Sequence, residues 1–176
     1  MIEVIIGCSV LVIIIIFVMV SKNNKFCEAI IKINEAECNL DVLLERKLDL
    51  LQRTIPIIKK EIKLEDFLED INEFDISSLN HFQSNDILKR ANNELFKVLD
   101  EHEKLFKSEN LSSILRDLSD NEEAIIGSIK FYNDNVVIFN QLVSSFPAKI
   151  VAFFHHYKRK NFYNDESKEI YELLDR

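Results

Sequence analysis

Residues 26–62, FCEAIIKINEAECNLDVLLERKLDLLQRTIPIIKKEI, decide the fold. Large apolar residues recur at Phe26, Ile30, Ile33, Leu40, Leu44, Leu48, Leu51, Ile55, Ile58 and Ile62. The steps are threes and fours, except where Glu37 occupies the position expected between Ile33 and Leu40. That period keeps one stripe of a helix turned toward a neighbour, as in a bundle. Pro56 has no N–H to give the Gln52 carbonyl, so a break is expected near Thr54–Pro56. The first helix then runs to about Thr54 and a second from there to about Phe74. From Glu61 onward the second carries Glu61, Glu65, Asp66, Glu69, Asp70 and Glu73 against Lys63 alone. A solvated acidic face is the plainer reading of such a run than a metal or cation site.

Toward the C-terminus, residues 75–83 read as a connection, and Ser84 or Asn85 as the cap of a third helix. Its seam is Ile87, Leu88, Ala91, Leu95, Val98, Leu99, His102, Leu105 and Phe106. A fourth helix is predicted from near Asn110 to Ser145, with a seam of Leu111, Ile114, Leu118, Ile125, Ile129, Tyr132, Val136, Phe139, Val143 and Phe146. Phe146-Pro147 ends it, because the residue before proline avoids the helical region, and Pro147 opens a further short helix. Two glycines and two prolines in 176 residues leave few places for a helix to stop. The expected fold is all-α, an antiparallel up-down four-helix bundle with long helices.

Toward the N-terminus, the seventeen residues from Val4 to Val20 carry no charge. As a helix they span about 25 Å, close to the hydrocarbon core of a bilayer. A cleavable signal peptide needs a basic start and a small-residue cleavage site. Met1-Ile2-Glu3 and Ser21-Lys22-Asn23 supply neither. Cys8 precedes most of the apolar run, whereas a lipidated cysteine follows it. A buried core helix with no polar face would have to be surrounded on all sides. One N-terminal transmembrane helix is therefore expected. Lys22, Lys25 and Lys32 follow the run and no basic side chain precedes it. This bias puts the bundle in the cytoplasm, with a very short N-terminal tail outside. The expected organisation is an anchor over 1–21, a bundle over 22–146 and a short helical tail over 147–176.

The net charge is −8, and −9 once Glu3, Lys22 and Lys25 of the anchor region are set aside. An acidic body argues against nucleic acid as a partner. Cys27 and Cys38 stand about 16 Å apart along one helix, too far to bridge. None of the four histidines has Glu or Asp three positions earlier, so the paired Glu-x-x-His of di-metal bundles is missing. His102-Glu103 begins a zinc-protease pattern whose second histidine is replaced by Phe106. Neighbouring His155 and His156 point about 100° apart on a helix, a poor chelate. Two glycines make neither a phosphate loop nor a nucleophile elbow. No catalytic residue, metal site or cofactor is expected, and the chain reads as a non-enzyme.

The most specific string is Phe131-Tyr132-Asn133-Asp134-Asn135-Val136, followed by Phe139-Asn140 and Phe146-Pro147. It resembles the F-Y-N-D-x-V, aromatic-Asn and F-P elements of the LemA family, bacterial proteins with a membrane helix and a helical bundle. Upstream, Asp41-Val42-Leu43-Leu44-Glu45-Arg46-Lys47-Leu48-Asp49-Leu50 is similar to that family's D-V-x-L-x-R-R-Y-D-L. The chain departs from the pattern at Glu37, where the family carries tryptophan, and at Ile129-Lys130, where it carries an arginine pair. The resemblance implies the fold and bacterial-membrane anchoring, and no defined biochemical activity. It marks Asp41, Arg46, Asp49, Phe131, Tyr132, Asn133, Asp134, Val136, Asn140, Phe146 and Pro147 as motif residues of structural kind.

Asn133 and Asn140 lie two turns apart beside the apolar seam. They are expected to hydrogen-bond across the bundle and fix helix register rather than to bind a ligand. Tyr132 is expected as a packed ring with a satisfied hydroxyl. If helices one and three run away from the membrane and two and four return, Pro147 falls near the bilayer surface. Phe153, Phe154, Tyr157, Lys158, Arg159 and Lys160 then suit the headgroup region. The competing expectation is a tail folded back to cap the open end of the bundle. The chain as a whole reads as a membrane-anchored protein-interaction scaffold or adaptor, whose partners are the lipid bilayer and an unidentified protein. The alternative is an extracytoplasmic ligand-binding or sensing domain on the same helix in the opposite orientation.

Overall fold

The computed structural model describes residues 1–64, 66–72, 74–76 and 79–163. Among these it is helical without strands: α1 (Ile2–Ile62), α2 (Glu69–Asn72), α3 (His81–Glu101), a 3-10 turn (Glu103–Lys107), α4 (Glu109–Ser144) and α5 (Ala148–His155). The chain divides into two compact units, one of residues 1–36 with 130–176 and the other of residues 37–129.

The 61-residue α1 carries the apolar run and the seam on one uninterrupted helix. An 18-residue window near its N-terminus has a mean hydropathy of 3.2 with none of it buried, making it a candidate membrane span by length and composition. Burial starts at Phe26 and continues through Ala29, Ile33, Ala36, Leu40, Leu44, Lys47, Leu51, Thr54 and Ile58, each 4 % exposed or less. The deepest row thus passes through Ala36 rather than Glu37, through Ala29 and Thr54 beside the larger Ile30 and Ile55, and through Lys47 beside Leu48. Close packing of helices favours small side chains on the contact line, with bulky ones flanking it.

The break expected near Pro56 does not occur, and there is no second helix from Thr54 to Phe74. Pro56 sits inside α1, exposed, so its ring faces solvent. Ile55 and Ile58 on either side of it are buried. Burial of this kind outweighs a proline penalty of about 3 kcal/mol. The helix stops at Ile62, where Lys63 takes a left-handed φ of 57° and its N–H reaches the Lys59 carbonyl at 3.1 Å. That is a helix-ending conformation usually filled by glycine. The acidic run is then split between the end of α1, a turn and α2; Glu65 and Glu73 lie outside the described residues.

In the 37–129 unit, the Gln52 amide donates to the Ile71 carbonyl at 3.0 Å, tying α2 to α1. α3 begins earlier than expected because Asn80 is its cap, accepting from the Gln83 N–H at 3.0 Å. Ser84 and Asn85 are buried within the helix instead. α3 also ends earlier, at Glu101, where His102 leaves the helical region. The following 3-10 turn keeps Leu105 buried and turns Phe106 out, 48 % exposed. Contacts of α1 with α4 step back from Ser128 to Glu122 as α1 advances from Asn39 to Lys47. Asn39 donates to Ser128 at 2.6 Å, Asn121 donates to the Leu43 carbonyl at 3.0 Å, and fully buried Lys47 meets Glu122 at 2.5 Å.

In the other unit, Phe26 of α1, Phe139 of α4 and Tyr157 beyond α5 form a three-ring cluster with centroid separations of 5.0–5.8 Å. Phe146, expected on the α4 seam, is 83 % exposed, since α4 stops two residues before it. The axis turns by 95° between α4 and α5.

Candidate functional site

The polar motif of α4 closes on the protein's own C-terminal segment. The Asn133 side chain donates to the Tyr163 carbonyl at 2.9 Å and accepts from the Tyr163 N–H at 2.7 Å. Asn140 repeats the arrangement on Lys160, donating to its carbonyl at 3.0 Å and accepting from its N–H at 2.8 Å. Between them the Tyr132 hydroxyl donates to the Asn161 carbonyl at 3.2 Å. Each amide presents one donor and one acceptor side by side, as a neighbouring strand would.

The spacing explains the match. Seven residues of α-helix advance about 10.5 Å, and three residues of extended chain advance about 10 Å. Two asparagines two turns apart therefore address backbone positions three apart. The expected amide contacts across a helix bundle are replaced by contacts to non-helical chain: residues 158–162 lie beyond α5, past the Tyr157 N–H that closes it on the Ala152 carbonyl. Asn133, Asn140 and Tyr163 are each about 1 % exposed, so these groups have no water to turn to. The Tyr132 and Tyr163 rings pack edge to face at 5.9 Å, with Tyr132 buried.

The other motif residues fall outside this clamp. Val136 is buried one turn from Tyr132, whereas Phe131 and Asp134 face solvent. Asn135 turns back to the Phe131 carbonyl of its own helix at 2.7 Å. Phe146 is exposed and Pro147 precedes the first residue of α5 as its cap. Asp41, Arg46 and Asp49 are exposed in the other unit; Asp41 stands 3.9 Å from His81, and Asp49 is loosely paired with Arg53 at 3.8 Å. Of the residues proposed for the bilayer surface, Phe153, Phe154, Lys158 and Arg159 are exposed. Tyr157 is turned into the ring cluster and Lys160 is held by its backbone.

Lys47 and Asn121 were missed as structural residues. The signal lay in their register: Lys47 is three residues after Leu44 and four before Leu51, and Asn121 divides the gap between Leu118 and Ile125 in the same way. Both occupy seam positions that an apolar-only count skips.

Two open grooves accompany these features. One of about 390 Å³, in the unit with α5, is lined by Lys25, Glu28 and Lys32 of α1 and by Asn135 and Gln141 of α4. There Lys32 bonds Glu28 at 2.7 Å and holds its carboxyl below the usual carboxylate range. The second, about 510 Å³ in the other unit, is lined by Asp66, Glu69, Asp70, Glu94 and Arg90 together with Ile71, Phe74 and Ile87. Among the described residues no group of three or more His, Cys, Asp and Glu is placed to hold a metal ion.

These features define a class: an all-helical protein with one exposed apolar N-terminal helix, whose motif side chains secure its own C-terminal segment. The LemA family model matches residues 36–172, most of the chain, and the protein belongs to the LemA family. No curated protein and no solved structure matches it.

Proposed function

We propose that this LemA-family protein is a membrane-anchored scaffold or adaptor that works by protein contact rather than catalysis, at the inner membrane of a bacterial cell with its bundle in the cytoplasm. The observation that supports this most is the use made of the motif. Tyr132, Asn133 and Asn140, the side chains best suited to chemistry, are committed to the Lys160–Tyr163 backbone. What is left to meet other molecules is surface, much of it acidic, including the groove around Asp66, Glu69 and Asp70. Such a surface suits a cationic protein partner. The lysines after the apolar run favour the cytoplasmic orientation.

A photo-crosslinking residue placed in the full chain at Glu94, beside that groove, tests the reading in living cells. Discrete protein adducts, lost when Asp66, Glu69 and Asp70 are changed together to Ser, are expected. Adducts that are absent, or that survive the acidic-to-Ser changes, would remove the acidic surface as a docking site.

A further inference from the structure

The end of α4 and the outer side of α5 present an apolar face that the protein leaves uncovered. Phe146, Phe153 and Phe154 are 83, 75 and 71 % exposed, while Ala148, Val151 and Ala152 on the inner side of α5 are buried. Single exposed hydrophobic residues need no explanation, but three phenylalanines within nine positions form a patch.

Its placement points to what covers it. Phe139 packs on Phe26. From Phe139, α4 continues five residues to Ser144, about 7.5 Å; from Phe26, the apolar run of α1 ends six residues back at Val20, about 9 Å away. Because α4 advances opposite to α1, it stops near the level at which that run begins to be apolar. The chain then turns by 95°, so that α5 lies across the direction of α4. This is the attitude of a helix lying in the plane of a bilayer whose normal α1 follows. Tyr157, two residues past α5, returns to Phe26 and keeps the far end of α5 within about 9 Å of Val20 along the helix axis. The headgroup layer is about 5–7 Å deep on each side of the hydrocarbon.

Charge agrees with position. In a protein of net charge −8, the stretch from Gln141 to Tyr163 holds Lys149, Lys158, Arg159 and Lys160 and no acidic residue. A basic rim around an aromatic face fits anionic lipid and would repel a second copy of itself.

We propose that α5 is a second, interfacial membrane contact. Phe146, Phe153 and Phe154 enter the headgroup–acyl boundary of the bilayer that α1 crosses, and exposed Lys149 and Lys158 meet anionic headgroups. Two points of attachment prevent this unit from turning freely about the axis of α1. The inference rests on residues 4–20 being the span.

The protein contains no tryptophan, so single Phe→Trp changes make clean reporters. Full-length Phe17→Trp, Phe154→Trp and Phe131→Trp proteins are reconstituted in phosphatidylcholine–phosphatidylglycerol vesicles containing acyl-brominated lipid. Phe131 is 42 % exposed and lies about 20 Å back along α4 from Ser144. The expected result is blue-shifted, bromine-quenched emission at 17 and 154 and neither at 131. Phe153→Trp should reproduce the 154 result. Adding Lys149→Ser and Lys158→Ser should reduce quenching at 154 and leave 17 unchanged. Quenching at 17 with none at 154 or 153 overturns the α5 contact while the span stands. No quenching at 17 removes the span, and the inference with it.

Discussion

At the scale of single residues, Asn133 and Asn140 show how a side chain can stand in for a strand. Each satisfies both backbone groups of one residue on non-helical chain. Asn133→Ala removes the two hydrogen bonds that the Asn133 side chain makes to the buried Tyr163 backbone. A loss of about 1–3 kcal/mol for a buried polar group deprived of its bond is the usual scale, to be read as a lowered denaturant midpoint. Hydrogen exchange gives the sharper test. Asn133→Ala should release the Tyr163 amide while leaving Lys160, held by Asn140, protected. Asn133→Asp keeps an acceptor for the Tyr163 N–H but turns a carboxylate toward its carbonyl, so partial protection with lowered stability is expected. Equal protection of Tyr163 in all three proteins would mean that the clamp does not hold the segment. The identity of these amides as important was legible from the motif. Their partner was not, since nothing in residues 158–163 marks them as chain that lies along α4.

Among the elements, α1 matters most, because one helix carries both the apolar run and the seam. Proline was a misleading signal there. Its local cost is real, but the buried residues beside it keep the helix going. Pro56→Ala restores a donor to the Gln52 carbonyl at an exposed site. Helix propensity then favours the variant by about 3 kcal/mol, less up to about 1 kcal/mol for the greater freedom of its unfolded chain. A rise in the urea midpoint with an unchanged slope is the expected outcome; an unchanged midpoint would indicate that the helix has already adapted to the ring. The seam of α1 was visible in the sequence, but its centre line was placed one residue off at Ala29, Ala36 and Thr54. A count of large apolar residues finds the flanks of a contact, where bulk is accommodated, and misses the small side chains along its centre.

For the whole molecule, sidedness decides which partners the helical domain can meet. A single cysteine added after Arg176, in a chain lacking Cys8, Cys27 and Cys38, reports it directly. In intact bacterial cells a membrane-impermeant maleimide should leave that cysteine unlabelled until lysis, as the positive-inside bias of Lys22, Lys25 and Lys32 requires. Labelling of intact cells would put the helical domain outside and favour the ligand-binding alternative. Cys8, Cys27 and Cys38 are all free and exposed, so their replacement leaves the buried core untouched.

Periodicity and composition were enough, by themselves, to establish the helical class, the apolar N-terminal helix and the extent of α4 to within a residue, while the motif strings carried the LemA resemblance. These are local properties: a helix period, a run of uncharged side chains and a motif are written in neighbouring residues. Only the tertiary structure decided that α1 passes through Pro56, that Lys47 and Asn121 are buried, that Phe146 faces outward and that Asn133 and Asn140 grip Tyr163 and Lys160. Each of those outcomes turns on residues far apart in the chain, where burial and the pairing of distant backbone groups override what any short stretch prefers.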